Sequence, residues 1–182
     1  MRNVIAAINM TLDGYCNHNY GIADNELHEH FTELLKGADT VVYGRITFQL
    51  MEYWKEVVEN PTGNKANDEF AKTIDNVPEK VIFSNTLTHT DWKGTRIVNR
   101  DIKKEILKLK KQSGHDILVG SPSLIAACIN LNLVDELQLS IHPVIAGKGL
   151  PLFKNIQEMQ TLNLIKTETF KSGVITCYYK PV

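Results

Sequence analysis

Short runs of apolar residues alternate along the chain with longer segments in which apolar residues recur every three or four positions. Runs of the first kind predict buried strands, and segments of the second kind predict amphipathic helices that pack one face on a core. The predicted strands of the first two thirds are residues 4–8, 40–43, 80–83, 95–98 and 116–119. A helical segment separates most of these strands from the next, so we expect parallel βα units.

Capping residues mark where the predicted helices begin and end. Asp24 precedes a helix that Gly37 ends, Asp101 precedes a lysine-rich helix, and Pro122 opens an apolar one. A helix carrying Phe48 follows the second strand, a loop spans residues 60–67, and a short helix leads to the third strand.

The last third of the chain has a different pattern. Residues 134–144 predict one long strand, and residues 162–170 and 174–179 predict a hairpin that turns at Gly173. The sequence therefore predicts one α/β domain over residues 1–182, with a mixed, mostly parallel sheet between helices on both faces and an antiparallel hairpin at its C-terminal end.

Composition narrows the class of protein. The chain has 182 residues, of which 43% are hydrophobic, and a formal net charge of -1, so no basic surplus points to nucleic acid. No segment has the roughly 20 apolar residues of a membrane span. Three scattered cysteines predict a reduced, cytoplasmic protein, and the scattered histidines predict no metal site.

Small and hydrogen-bonding residues follow three of the predicted strands. Ligands of open α/β sheets bind at the carboxyl ends of strands, and helix N-termini favour anions. We therefore expect a phosphate-bearing ligand at these strand ends, which are Gly44-Arg45-Ile46-Thr47, Ser84-Asn85-Thr86 and Gly120-Ser121-Pro122-Ser123.

The order of these segments carries a resemblance that runs across nearly the whole chain. The segments are AAI at residues 6–8, TLDG at 11–14, VYGRITF at 42–48, VIFSNTL at 81–87, ILVGS at 117–121, LVDEL at 133–137 and HPVIAGKG at 142–149. In this order they resemble the dihydrofolate reductase superfamily. They are most similar to the C-terminal reductase domain of the bifunctional riboflavin-biosynthesis deaminase-reductase.

The resemblance implies a three-layer dihydrofolate reductase-like fold, NADPH as cofactor and a homodimer. The implied cofactor residues are Gly44, Arg45 and Thr47 at the phosphates, Ser84 and Asn85 near the adenosine 2′-phosphate, Gly120, Ser121, Ser123 and Leu124 at the pyrophosphate, and the backbone of Ala7 and Ile8 at the nicotinamide amide. On the substrate side, the segment after Thr47 lacks the usual substrate-loop pattern, and the early Leu-Pro-Trp motif of folate reductases is missing. In the segment implied at the pyrophosphate, Ser121 replaces the usual second glycine.

Asp13 is the first candidate for a substrate-side acid or hydrogen-bonding group, with turn stabilisation before Gly14 as the equal alternative. His28 and Glu29 are expected to face solvent. Trp54, with its neighbours at 51 and 53, is expected in the core rather than in a substrate pocket.

The leading hypothesis is an NADPH-dependent reductase that transfers a hydride to a small heterocyclic or carbonyl/imine substrate resembling dihydrofolate or a ribosylamino-pyrimidine. The alternatives are a nucleotide-binding protein of the same fold without catalysis, and a flavin enzyme. The long C-terminal strands leave a sheet edge that a second subunit would cover.

Overall fold

A single eight-stranded sheet forms the centre of the computed structural model, which describes residues 1–22, 24–99 and 101–182. The strand order is β4-β3-β2-β5-β1-β6-β8-β7. The strands are β1 (Val4–Thr11), β2 (Ala38–Gly44), β3 (Glu79–Phe83), β4 (Thr95–Val98), β5 (Asp116–Val119), β6 (Glu136–His142), β7 (Leu162–Thr169) and β8 (Ile175–Pro181). The first six strands pair with one another in parallel, whereas β8 runs antiparallel to both β6 and β7.

Helices cover both faces, which gives the predicted three layers. The helices are α1 (Asn25–Lys36), α2 (Arg45–Glu59), α3 (Lys65–Asn76), α4 (Ile102–Lys111) and α5 (Pro122–Asn130), with a short 3-10 turn at His18–Tyr20. Phe48 of α2 and Phe70 of α3 pack with Ile5 on one face, and Ile106 of α4 and Ile125 of α5 pack with Val4 on the other. Alternate residues of β1 thus serve different cores.

The predicted caps at Asp24 and Asp101 are confirmed. The Asp24 carboxylate accepts a hydrogen bond from Leu27 N at 3.0 Å, and that of Asp101 accepts one from Lys104 N at 3.1 Å. The antiparallel hairpin with Gly173 at its turn is confirmed as well, and the positive φ of +84° at this residue explains why glycine is used.

Three predicted boundaries are wrong. The first strand continues beyond residue 8 to Thr11, because β6 pairs with it that far. The loop of residues 60–67 ends early, because the Asn64 side chain accepts hydrogen bonds from Ala66 N and Asn67 N and so starts α3 at Lys65. The strand of residues 134–144 shrinks to β6, because Pro143 has no N–H to donate to the sheet.

Candidate functional site

The three polar strand ends meet in one cleft of about 700 Å³ at the carboxyl edge of the sheet, which we call the strand-end cleft. This volume is in the range of small-molecule sites. Its lining residues are Gly44, Arg45, Ile46, Thr47, Phe83, Ser84, Asn85, Thr86, Val98, Asn99, Ser121, Pro122, Ser123, Leu124 and Leu150. Eight of the predicted cofactor residues are among them, whereas Ala7, Ile8, Gly120 and the candidate Asp13 are not.

Two helices begin at this cleft without a side-chain cap. Gly44 and Ser121 are the residues that precede α2 and α5, and neither caps its helix through a side chain. No acidic residue lies in the first turn of either helix. By contrast, α1, α3 and α4 are capped by Asp24, Asn64 and Asp101 and carry Glu26, Asp68 and Glu105 in their first turns. The first-turn N–H groups and dipoles of α2 and α5 are therefore left for an external anion.

The charge of the strand-end cleft agrees with this backbone arrangement. Arg45 is exposed, and its Nη1 donates a hydrogen bond to Gln49 Oε1 at 3.1 Å, one turn further along α2. None of the described residues that line the cleft carries a carboxylate. A guanidinium fork beside two open helix N-termini favours phosphate over other groups.

Ser121 has a structural contact that its sequence position did not reveal. Its side chain is almost fully buried, and its Oγ accepts a hydrogen bond from Gly44 N at 2.8 Å. The hydroxyl thus links the end of β2 to the end of β5 instead of capping α5. Ser121 therefore shapes the floor of the cleft by holding two strand ends together.

Ser84 organises the loop that follows β3. Its Oγ accepts hydrogen bonds from Thr86 N at 3.1 Å and Leu87 N at 2.8 Å. Because a hydroxyl is also a donor, the Ser84 O–H remains able to bind an oxygen of a ligand. The neighbouring Asn85 is exposed at the same edge of the cleft.

Gly120 is required by packing rather than by the cleft. A Cβ at this position would lie 2.7 Å from Cε1 of Tyr43, whose ring is buried. A Cβ at Gly44 would instead lie 3.7 Å from Ser121 Oγ, an ordinary van der Waals distance. Of the two glycines, only Gly120 is therefore fixed by the protein's own core.

Ala7 and Ile8 lie where two neighbouring strands separate. β1 pairs with β5 only at Val4, Ile5 and Ala6, but its pairing with β6 continues to Thr11. Past Ala6, the edge of β1 that faces β5 has no strand partner, so backbone groups there are left for another partner.

Asp13 is engaged in a loop-to-loop clamp. Its carboxylate accepts hydrogen bonds from Thr11 Oγ1 at 2.6 Å, from Gly147 N at 2.7 Å and from Ala146 N at 3.1 Å. The bonds from Thr11 and from the Gly147 backbone lower the pKa of Asp13 to about 2. These contacts match the turn-stabilising alternative, since an ionised carboxylate has no proton to donate at neutral pH.

The expectation that His28 faces solvent is wrong. Its ring lies 5.5 Å from the ring centroid of Trp54 and 5.8 Å from that of Phe70, and burial lowers the pKa of His28. Met51 and Trp54 pack against the core as expected, and Glu29 is exposed. The expectation that Tyr53 lies in the core is wrong, because its position on α2 faces solvent and leaves it 53% exposed.

The cleft is also lined by Val98, Asn99 and Leu150, which the sequence did not predict as site residues. The sequence could have predicted Asn99 as a site residue, because Asn99 follows β4 and the carboxyl ends of parallel strands share one edge of the sheet. Leu150 had no such signal, since it arrives from a loop between β6 and β7.

The described residues contain no group of three or more His, Cys, Asp or Glu side chains placed to hold a metal ion. None of the helices among them has the length and apolar character needed to cross a membrane.

Known proteins match this chain over nearly its whole length. The chain is 38% identical over 182 residues to the uncharacterized protein YyaP of Bacillus subtilis (strain 168), a match that covers 98% of this chain and 94% of that protein. It is 22% identical to the uncharacterized protein YwjB of the same organism, with 98% of each chain covered.

Solved structures share the fold. A protein from Shewanella sp. PV-4 that is provisionally assigned to riboflavin biosynthesis superposes with a TM-score of 0.74 at 21% identity, covering 100% of this chain and 99% of that one. RibD of Acinetobacter baumannii gives 0.71 at 15% identity, and this chain spans 58% of it. The family model of the RibD C-terminal domain matches residues 2–176. The chain therefore belongs to the RibD C-terminal domain family, within the dihydrofolate reductase-like superfamily.

Proposed function

We propose that this protein is an NADPH-dependent reductase that acts on a small heterocyclic or carbonyl/imine substrate. The observation that carries the proposal is the strand-end cleft, where two uncapped helix N-termini open beside Arg45 with no carboxylate among the described lining residues. A dinucleotide needs such a site for its pyrophosphate. Membership of the RibD C-terminal domain family supports the same activity, and a Thermotoga maritima neighbour of the same fold is named as a deaminase/reductase.

Different residues of the strand-end cleft would bind different parts of the cofactor. The first-turn N–H groups of α2 and α5, with Arg45 and Thr47 on one side and Ser123 on the other, would hold the phosphates. Ser84 and Asn85 would donate hydrogen bonds to the adenosine ribose and its 2′-phosphate, because both lie at the end of β3. Because NADH lacks the 2′-phosphate that Ser84 and Asn85 would bind, these two residues favour NADPH over NADH.

The nicotinamide amide would bind the free backbone edge of β1 at Ala7 and Ile8, where β5 has already ended. Bound there, NADPH supplies the hydride. Asp13 is ionised and held by Thr11 and Gly147, so we propose that it positions the adjoining loops and that water provides the proton.

One observation favours a second candidate function, a nucleotide-binding protein of this fold without catalysis. The carboxylate that follows β1, Asp13, accepts hydrogen bonds from Thr11, Ala146 and Gly147, and the bonds from Thr11 and Gly147 lower its pKa to about 2. Such a protein would bind NADPH but would not turn over any substrate.

Calorimetric titration with NADPH and NADH tests the cofactor. We expect NADPH to bind more tightly, and Arg45→Ala to weaken its binding roughly 10- to 100-fold, since a hydrogen bond to a charged group is worth about 1.5–3 kcal/mol. Lys104→Ala, an exposed lysine of α4 outside the strand-end cleft, is the matched control. If neither nucleotide binds, the reductase proposal is wrong.

Turnover separates the two candidate functions. Wild type and Asp13→Asn are assayed for NADPH oxidation with reducible pteridines and ribosylamino-pyrimidines. We expect turnover in both, with a reduction of less than about tenfold in Asp13→Asn, below the roughly 10²–10⁴-fold loss that removal of a general acid or base causes. Loss of turnover with unchanged NADPH affinity would instead make Asp13 a catalytic residue. NADPH binding with no turnover of any substrate would favour the non-catalytic protein.

We also propose that the protein works as a homodimer of one-domain chains. All eight strands join one sheet, and its edge strand β7 is exposed along nearly its whole length, including Leu164 and Ile165. A long exposed edge of this kind invites pairing with another chain. Sedimentation equilibrium tests the stoichiometry.

A further inference from the structure

A second cleft lies at the other end of the sheet, between α1 and strands β6, β8 and β7, with a volume of about 560 Å³. We call it the acidic cleft. Its lining residues are Glu26, Glu29, His30, Glu33, Leu34, Gln138, Lys166, Glu168, Thr169, Phe170 and Tyr178. It shares no lining residue with the strand-end cleft, so the inference that follows is independent of the proposed function.

Carboxylates dominate this cleft, with four glutamates against one lysine. Three of the glutamates are engaged, because Glu26 binds Lys171, Glu33 binds Lys36 and Glu168 accepts a hydrogen bond from Tyr178. Glu29 forms no ion pair within the described parts of the chain and is exposed. The charge of the cleft favours a cation as its occupant.

One residue that lines the acidic cleft, Gln138, has a buried amide oxygen without a hydrogen-bond partner among the described residues. Gln138 is only 5% exposed, and its Nε2 donates a hydrogen bond to Glu136 Oε1 at 2.7 Å, which fixes the orientation of the amide. Gln138 Oε1 has no hydrogen-bond partner in the described structure. A buried acceptor without a partner costs free energy that a ligand donor would recover.

His30 contributes a second bare acceptor, and its side chain is 10% exposed. Its Nδ1 lies 3.4 Å from Tyr178 Oη and 3.6 Å from Glu168 Oε2, while the Tyr178 hydroxyl donates to Glu168 at 2.8 Å. Both neighbours of Nδ1 are acceptors, so Nδ1 carries the proton and Nε2 keeps a lone pair. His30 Nε2 also has no partner among the described residues.

An aromatic face in the cleft already binds an ammonium group. The Nζ of Lys166 lies 4.1 Å from the centroid of the Tyr178 ring. Tyr178 pairs with Gln138 on one side and with Lys166 on the other, so the bare amide, the ring and the ammonium lie in one row across three strands. This ring is a cation-π partner within reach of the same cleft.

We propose that the acidic cleft is a second ligand site, which binds a small organic cation whose N–H groups donate to Gln138 Oε1, His30 Nε2 and Glu29. A protonated amine or an amidinium on a flat apolar body has this chemistry. An inorganic cation does not suit the cleft, because the described residues include no set of three ligands placed for a metal. A neutral or anionic ligand would leave the Glu29 carboxylate without a cationic partner.

Nuclear magnetic resonance titration of the full chain with three probes of one shape tests the charge requirement. Benzamidine is the cation, benzamide its neutral counterpart and benzoate the anion. We expect benzamidine to shift the amide resonances of residues around His30 and Gln138, benzamide to bind about tenfold more weakly, and benzoate to cause no shift there. Equal binding of benzamidine and benzamide, or shifts confined to the strand-end cleft, would overturn the proposal.

Three variants and one control test the residues of the acidic cleft that we propose to affect cation binding. Glu29→Gln and Gln138→Leu should each weaken benzamidine binding about tenfold, the magnitude of a hydrogen bond to a charged group. Lys166→Met should tighten it several-fold, because it removes the competing ammonium from Tyr178. This variant changes an exposed residue of the edge strand, so its folding is not at issue. Arg45→Ala, in the other cleft, is the control and should bind as wild type. Unchanged binding in both Glu29→Gln and Lys166→Met would show that the cation binds elsewhere.

Discussion

The strand-end cleft and the acidic cleft belong to one sheet but differ in the charge of the groups that line them. In the first, Arg45 stands beside backbone N–H groups, and the described lining residues include no carboxylate. In the second, four glutamates and two bare acceptors face one lysine. The charge of these groups therefore suits the anion that we propose at one end of the sheet and the cation that we propose at the other.

Helix capping explains much of this difference. The helix that borders the acidic cleft, α1, is capped by the Asp24 side chain and has Glu26 in its first turn, so its own residues satisfy its N-terminus. α2 and α5, which begin at the strand-end cleft, lack both features. Where a helix carries its own acid, it does not attract an external anion.

The difference between the two clefts should be reduced most by an acidic residue introduced at an uncapped helix N-terminus. Ser123 is exposed, lies in the first turn of α5 and lines the strand-end cleft. We expect Ser123→Asp to weaken NADPH binding about 100-fold, since juxtaposed like charges cost several kcal/mol. The same aspartate should leave the unfolding free energy unchanged or raise it by about 0.3–1 kcal/mol, because it favours the helix dipole.

Calorimetry and urea unfolding measure the two effects, and Ser123→Asn is the matched neutral control. If Ser123→Asp binds NADPH as well as Ser123→Asn does, phosphate does not occupy the N-terminus of α5.

Substitutions of Gly120 and Gly44 distinguish a glycine that core packing requires from one that leaves space in the strand-end cleft. Gly120→Ala should lower the unfolding free energy by about 1–3 kcal/mol, the cost of overpacking a core, because its Cβ meets the Tyr43 ring at 2.7 Å. Gly44→Ala should unfold at nearly the same urea concentration as wild type, since its Cβ has space beside Ser121. A larger loss of stability in Gly44→Ala than in Gly120→Ala would contradict this assignment.

The smallest expected effect concerns pH and the acidic cleft. Burial lowers the pKa of His30 against the opposing pull of Glu168, whereas an unfolded histidine titrates near 6.5. Below that pH the unfolded chain binds more protons at this residue than the folded chain, so stability falls as the pH falls. His28 and His142 act in the same direction.

We expect urea midpoints to fall between pH 7 and pH 5, and to fall less steeply in His30→Gln. Between pH 8 and pH 9, the difference between the two proteins should stay constant. A steeper fall in His30→Gln would mean that the folded chain stabilises the protonated ring. Benzamidine binding should also weaken at low pH, because protonation removes the acceptor at Nε2, while the strand-end cleft gains no such dependence from His30.

The sequence by itself determined the elements, most of their ends and the strand ends that form the first cleft. These features depend on local physics: apolar periodicity sets helix or strand, and a cap such as Asp24 acts on the N–H of Leu27, three residues away. Proximity of the three polar strand ends followed from one topological rule, that carboxyl ends of parallel strands share an edge.

Only the tertiary structure decided which of these residues are available to bind a ligand and which hold parts of the protein together. Ser121 and Gly44 are far apart in sequence, yet a hydrogen bond joins them, and Asp13 is held by Gly147 from a distant loop. The acidic cleft arises because α1 from the start of the chain packs over strands from its end. No local pattern encodes such contacts, because they depend on register and on packing between elements that are distant in sequence.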